Sequence, residues 1–254
     1  MTVPFENDTG NIVRKLARKS LKSEKRRNLM VVIAVALASC LICFSIVMAL
    51  STRQIEKNHV EDTYEAVYTR ITEEDVSTLK GLDDFSRVGE YYMLAVEPAE
   101  QGYNASYIYC DEETMYIARD QMKLLEGRLP QKEDEVVVSR YFLSNYGADA
   151  GIGEKVMLSS ESFHGEYTVT GIMEGYKEKE VNGTSILLSK EALKGWSGYD
   201  PADYRAYVHF KNEQQMDETE LTARSREIAK EYQLEMPVMN LSYMKFYKQP
   251  VNVS

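Results

Sequence analysis

From Leu29 to Leu50 the chain runs through 22 residues without a charge, a glycine or a proline. A helix of that length rises roughly 33 Å, enough to cross the hydrocarbon of a bilayer. A buried core helix normally keeps a polar stripe, and this run has none, so the pattern predicts a transmembrane helix over residues 29–50. Neither glycine nor proline occurs between Leu29 and Lys80, so the helix is expected to continue as a stalk, residues 51–64, staying helical to about Val60. Upstream, Ile12 and Leu16, with Val13, Ala17 and Leu21, recur at fourfold spacing among basic residues. That spacing predicts a short amphipathic helix over part of residues 1–28, suited to lie on a membrane surface, and the same basic residues serve equally to hold the N-terminus inside.

Beyond residue 64 the pattern changes to short alternating runs. Residues 65–71 read as a strand, and Thr72 followed by Val76, Leu79 and Leu82 reads as a capped amphipathic helix. Further strands are expected at 88–96, 106–110, 135–138, 155–158, 166–173, 185–188 and 205–210. Helices are expected at 112–122 and 214–233, the second with Leu221, Ile228 and Ala229 as its apolar positions, and a turn at 131–134. Helices and strands mixed in this way predict an α+β domain over residues 65–254.

Charge gives the anchor a direction. Residues 1–28 carry eight basic side chains, Arg14 to Arg27, against three acidic ones, whereas residues 51–254 carry 22 basic and 37 acidic side chains, a net charge of −15. Basic residues are retained on the cytoplasmic side, so the N-terminus is expected inside and residues 51–254 outside. So acidic a surface is a poor partner for nucleic acid, whose phosphates need a basic footprint. The apolar run is too long for a cleaved signal peptide. Leu37-Ala38-Ser39-Cys40 resembles a lipobox, but Cys40 sits mid-run with ten more apolar or small residues after it. Cys40 and Cys43 lie inside the span, which leaves Cys110 alone outside it and no disulfide to form there, a pattern that points to a bacterial surface.

Candidate chemistry is sparse. Gly147, Gly151 and Gly153 cluster before a strand, but Gly153-Glu154-Lys155-Val156 is not a phosphate-binding loop. Ser77-x-x-Lys80 and Ser242-x-x-Lys245 satisfy Ser-x-x-Lys without the Lys-Thr-Gly that the chemistry requires. His59, His164 and His209 lack metal-ligand spacing, and His209 falls on the polar face of its strand as a solvated residue. The acidic runs 73–75, 133–135 and 178–180 read as helix caps or solvated faces. Tyr91, Tyr92, Tyr103, Tyr107 and Tyr109 serve either cross-strand packing or a binding surface. No catalytic, cofactor-binding or metal-binding residue is nominated, no cofactor is expected, and the chain is not expected to be an enzyme.

Four segments follow one another in a specific order: Leu125-Glu126-Gly127-Arg128-Leu129-Pro130, Glu135-Val136-Val137-Val138-Ser139, Ile152-Gly153-Glu154-Lys155-Val156 and Tyr167-Thr168-Val169-Thr170-Gly171-Ile172. Together with the basic segment, span and stalk, this succession resembles the N-terminal part of FtsX-like or MacB-like ABC transporter permeases, over roughly residues 11–235. The resemblance implies a MacB-like core domain outside the membrane. It also implies a separate cytoplasmic ABC ATPase as partner, with motion relayed to the outer domain for export or mechanotransmission at the plasma membrane of a bacterium. A peptide, lipid, lipoprotein or antibiotic is the implied cargo, and a dimer of permease subunits or of fused halves the implied assembly. The family carries at least three further spans and its main ATPase contact on a loop after the second, so this chain is expected to be either a truncated product or an N-terminal fragment. A single-pass receptor or adhesion protein is the alternative.

Overall fold

The computed structural model describes residues 9–23, 25–147, 149–175 and 178–248, and the chain divides into two compact units, 1–56 and 57–254. In the first unit, α1 (Thr9–Ser23) carries Ile12, Val13 and Leu16 exposed. The long helix α2 (Lys25–His59) begins in this unit and contains the whole apolar run. Among the described residues it is the one helix long and apolar enough to cross a membrane, and none of its apolar stretch is covered by protein. A water-exposed face of that size is untenable, so lipid covers it and the chain is membrane-anchored. Three of its hydroxyls are satisfied within the helix: Ser39, Ser45 and Thr52 each donate to the carbonyl four residues back, at 2.9 Å.

The second unit is built on a ten-stranded mixed sheet. Its strands are β1 (Ala66–Ile71), β2 (Phe85–Pro98), β3 (Asn104–Cys110), β4 (Met122–Gly127), β5 (Glu135–Ser139), β6 (Lys155–Ser159), β7 (His164–Gly175), β8 (Gly183–Leu188), β9 (Tyr204–Phe210) and β10 (Val238–Met239). They lie in the order β10-β1-β9-β2-β3-β8-β5-β7-β4, with β6 against β7. The pairs β3·β8 and β5·β7 are parallel and the others antiparallel.

Both faces of the sheet are buried, which explains the unbroken apolar runs of β5 and β8. Val136, Val138, Ile186, Leu188, Ala206 and Val208 enter one core, under α3 (Glu73–Lys80), α5 (Arg140–Tyr146), α7 (Lys190–Gly195) and α8 (Glu218–Glu231). Their neighbours Val137, Leu187 and Tyr207 point to the other side, with Met115 and Ile117 of α4 (Glu112–Ile117). Side-chain alternation along each strand therefore divides one run between two cores. The helix starts are set by side-chain caps: Thr72 and Asp75 form a reciprocal capping box on α3, and Asp217 and Glu220 another on α8.

Several elements depart from the pattern reading. The helix expected over 112–122 ends at Ile117, because Ala118 turns the chain and Met122 is taken into the sheet as the first residue of β4. The helix expected from residue 214 starts at Glu218, after a 3-10 turn over Glu213–Gln215. Strands β2 and β7 are longer at both ends than their apolar cores.

Candidate functional site

In the second unit, residues 57–66, the end of β9 with the turn after it, and residues 238–248 are drawn into one hydrogen-bonded clasp. Strands β1 and β10 begin it, with Ala66 opposite Met239 and Val67 opposite Val238. Asn240 N–H donates to the Glu65 carbonyl at 2.8 Å, and its side-chain amide donates to the Tyr64 carbonyl at 3.0 Å. Asn240 also caps the short helix α9 (Leu241–Tyr243), accepting from Tyr243 N–H at 3.1 Å. Directly after α9, the π-turn over Met244–Lys248 brings Tyr247 back to Lys57: its ring lies 5.1 Å from the Lys57 ammonium, and its hydroxyl donates to the Lys57 carbonyl at 3.4 Å.

The centre of the clasp is ionic. Glu65 has no exposed surface, and both its oxygens are used: Oε1 accepts from His209 Nδ1 at 2.7 Å and Oε2 from Phe210 N–H at 2.8 Å. His209 Nδ1 also lies 3.2 Å from the Thr63 carbonyl, which can only accept, so Nδ1 carries the proton. Burial opposes a charge on His209, but the Glu65 carboxylate overrides it and holds the imidazole above its ordinary range. Next to this pair, Glu213 accepts from Lys248 at 2.7 Å and from Tyr243 hydroxyl at 2.6 Å. Burial pushes the Glu213 carboxyl up, and Lys248 with Tyr243 bring it below the usual carboxylate range.

This arrangement binds segments together rather than making or breaking bonds. His209 is engaged by a carboxylate and a carbonyl, not by a hydroxyl or thiol that it could activate. Among the described residues no three His, Cys, Asp or Glu side chains gather as a metal site. Of the residues considered from sequence, His209 is therefore misread as solvated: its side chain is 19% exposed and carries the clasp's central contact. Glu65, Glu213 and Lys248 give no sequence signal, since their partners lie far along the chain.

The other sequence candidates are dispersed. Tyr91, Tyr92, Tyr103 and Tyr107 are buried in the cores, which favours packing over a binding surface. Ser77 donates to the Glu73 carbonyl at 3.0 Å, and Lys80 pairs with Asp111 at 2.9 Å, so that motif forms no dyad. Gly153, at φ +89°, supplies the turn into β6. In the acidic runs Asp75 is a cap, Glu135 is paired with Arg128, and Glu178 is a buried carboxylate bonded to Ser185 N–H at 2.8 Å.

In sequence, residues 29–226 match the MacB-like periplasmic core domain. No curated protein matches the chain. The fold is similar to the extracellular domain of the ABC-type transporter YknZ from Gram-positive bacteria, at 14% identity and a TM-score of 0.48, over 68% of this chain and 97% of that one. It is also similar to the periplasmic region of MacB from Actinobacillus actinomycetemcomitans, at 11% identity and a TM-score of 0.49, over 73% of this chain and 91% of that one.

Proposed function

The chain belongs to the family of the MacB-like periplasmic core domain, and on that footing we propose that it relays the work of a separate cytoplasmic ATPase to an extracytoplasmic domain. In this reading residues 1–28 are a cytoplasmic basic segment, 29–50 the span, 51–64 the stalk and 65–254 the outer domain, in a bacterial plasma membrane. The excess of Lys and Arg before the span and the acidity after it support that direction. The family contributes a permease component to a transporter, not a catalyst. Export of a peptide, lipid, lipoprotein or antibiotic, or mechanical signalling to an envelope partner, is the work such a part performs, in a dimer of subunits or of fused halves.

The observation that carries this reading is the clasp. The last turn of α2, β1, the end of β9 and residues 240–248 share one network of hydrogen-bonded polar groups, with Glu65 and Asn240 buried within it. Such networks hold their parts in fixed relation. A displacement delivered at residues 57–59 therefore reaches β1 and residues 240–248 together, instead of fraying one strand.

The test uses the full-length gene product reconstituted with its ATPase subunit. ATP is expected to change hydrogen exchange at β1 and at 240–248 in the wild type. The double variant Asn240→Ala, Tyr247→Ala is expected to keep ATP hydrolysis but lose that response. Failure of any ATPase to co-purify with the wild type would overturn the proposal.

A further inference from the structure

Between α4 and β4 the chain makes a tight turn, with Gln121 and Met122 N–H both returning to the Ala118 carbonyl. The turn drives Asp120 inward: it is 4% exposed, and it lines a cavity of about 330 Å³ together with His59, Arg119, Gln121, Lys123 and Glu174. One oxygen of its carboxyl, Oδ2, accepts from the Gln121 amide at 3.0 Å. The other, Oδ1, is buried without any hydrogen-bond partner. Leaving a carboxylate oxygen dry is costly, and burial accordingly pushes the Asp120 carboxyl above its ordinary range. Among the described residues the Tyr103 and Tyr107 hydroxyls are also buried without a partner, but of the three only Asp120 Oδ1 belongs to a carboxyl, and it calls for an occupant.

The rest of the wall defines what that occupant is. Arg119 is already committed to the Glu61 carbonyl and to Asp62 at 3.6 Å. Glu174 and Lys123 are Cα partners across β4 and β7, yet among the described residues neither side chain forms an ion pair. The cavity thus offers two carboxylates with unused acceptor capacity and, beside them, one uncommitted ammonium. We infer that the cavity binds a primary ammonium group carried a few bonds from an anionic group, with Asp120 and Glu174 accepting its N–H donors and Lys123 meeting the anion. Rotation of the exposed Gln121 side chain opens the Asp120 carboxyl to the ligand. The volume, at the low end for ligand sites, suits a small zwitterion such as an amino acid or an aminoethyl phosphate headgroup. His59 Nε2 lies 2.8 Å from the Asp120 carbonyl, so the last residue of α2 is in direct contact with the turn that the ligand would grip.

The site is tested by calorimetry on the full chain in detergent, with phosphoethanolamine, glycine, phosphocholine and inorganic phosphate as probes. Phosphoethanolamine or glycine is expected to bind, and the better of the two identifies a headgroup or an amino acid as the source. Phosphocholine, whose ammonium has no N–H, is expected to bind at least about tenfold more weakly, as loss of a charge-assisted hydrogen bond requires. Asp120→Asn is expected to abolish binding. Because Asp120 is buried, the surface variant Lys123→Met serves as a second probe and is expected to weaken binding without affecting the fold. Equal binding of phosphate and phosphoethanolamine would overturn the inference. So would unchanged affinity in Lys123→Met, or no binding of either ammonium probe by the wild type, the result if an internal water fills the Oδ1 position. These readouts do not depend on any ATPase, so they stand or fall apart from the coupling proposal.

Discussion

Gly127 and Gly171 oppose one another across antiparallel β4 and β7, and neither has room for a Cβ. Gly127 sits at φ +83°, and a Cβ there would lie 2.2 Å from the Thr170 carbonyl oxygen. A Cβ on Gly171 would lie 2.8 Å from the Arg128 carbonyl oxygen. Both obstacles are backbone, so the strands must separate to accept a methyl. Gly171→Ala is expected to cost about 1–3 kcal/mol as overpacking. Gly127→Ala adds left-handed strain of about 1–2 kcal/mol. Because the two share one gap, the double variant is expected to lose less than the sum, which urea denaturation of the three variants checks.

Arg128 follows Gly127, the last residue of β4, and pairs with the start of β5. Its guanidinium makes a forked pair with Glu135, at 2.7 and 2.8 Å, while Gln131 N–H donates to the same carboxylate at 2.8 Å. Arg128, chiefly, pulls the Glu135 carboxyl down to about 2. The folded value lies below the unfolded one, so the pair's stabilisation is present above about pH 4.3 and is lost as pH falls towards 2. Arg128→Ala is expected to lower stability at neutral pH, by an amount that solvent screening of the half-exposed guanidinium reduces. It should also flatten the acid limb of the stability curve, and an acid limb identical to wild type would refute this account.

These contacts explain which parts of the molecule the sequence makes legible. Gly127, Arg128 and Gly171 stand inside the segments that carry the resemblance read from the sequence, where the backbone approach and the local ion pair act within a few positions. Thr72 and Asp75 are legible for the same reason, as a cap written over four residues. The apolar run of α2 is legible because lipid tolerates nothing else. His209 is misread because strand alternation assigns it to a polar face, while its partner Glu65 lies 144 residues earlier. Asp120 is hidden in a segment whose helical pattern the sheet overrides at Met122. Long-range polar pairs leave no periodicity, so the clasp and the cavity become visible only in three dimensions.

The Glu65–His209 pair makes stability fall on the alkaline side. The folded His209 value is raised, so its contribution is present below about pH 6.5 and is lost as pH rises through the folded value. Burial raises Glu65 as well, so the pair also fails once pH falls far enough to protonate that carboxylate. His209→Gln leaves Glu65 buried without its cationic partner, a change expected to cost about 3 kcal/mol. The deficit relative to wild type should be larger near about pH 6 than near about pH 9. Thermal unfolding of both proteins across that range decides it, and a pH-independent difference would mean that the imidazole acts by shape alone.

Cys110 is set up to report opening of the second core. It is buried beside Met122, with Sγ 3.9 Å from Sδ, and its burial, with Asp111 adjacent, drives the thiol far above its ordinary range. The thiolate is the reactive form, so the native site offers a reagent neither access nor nucleophile. The chain has three cysteines, and replacing Cys40 and Cys43 with serine leaves this one alone. Labelling of that variant at neutral pH is expected to run at least about a thousandfold slower than for a free thiol, since it must wait for the core to open. Adding denaturant below the midpoint should speed labelling in proportion to the opened population. Gly127→Ala, which forces β4 from β7 on the strand that begins with Met122, should speed it further at equal denaturant. Rapid labelling of the native protein would instead mean that the β4 edge is already loose.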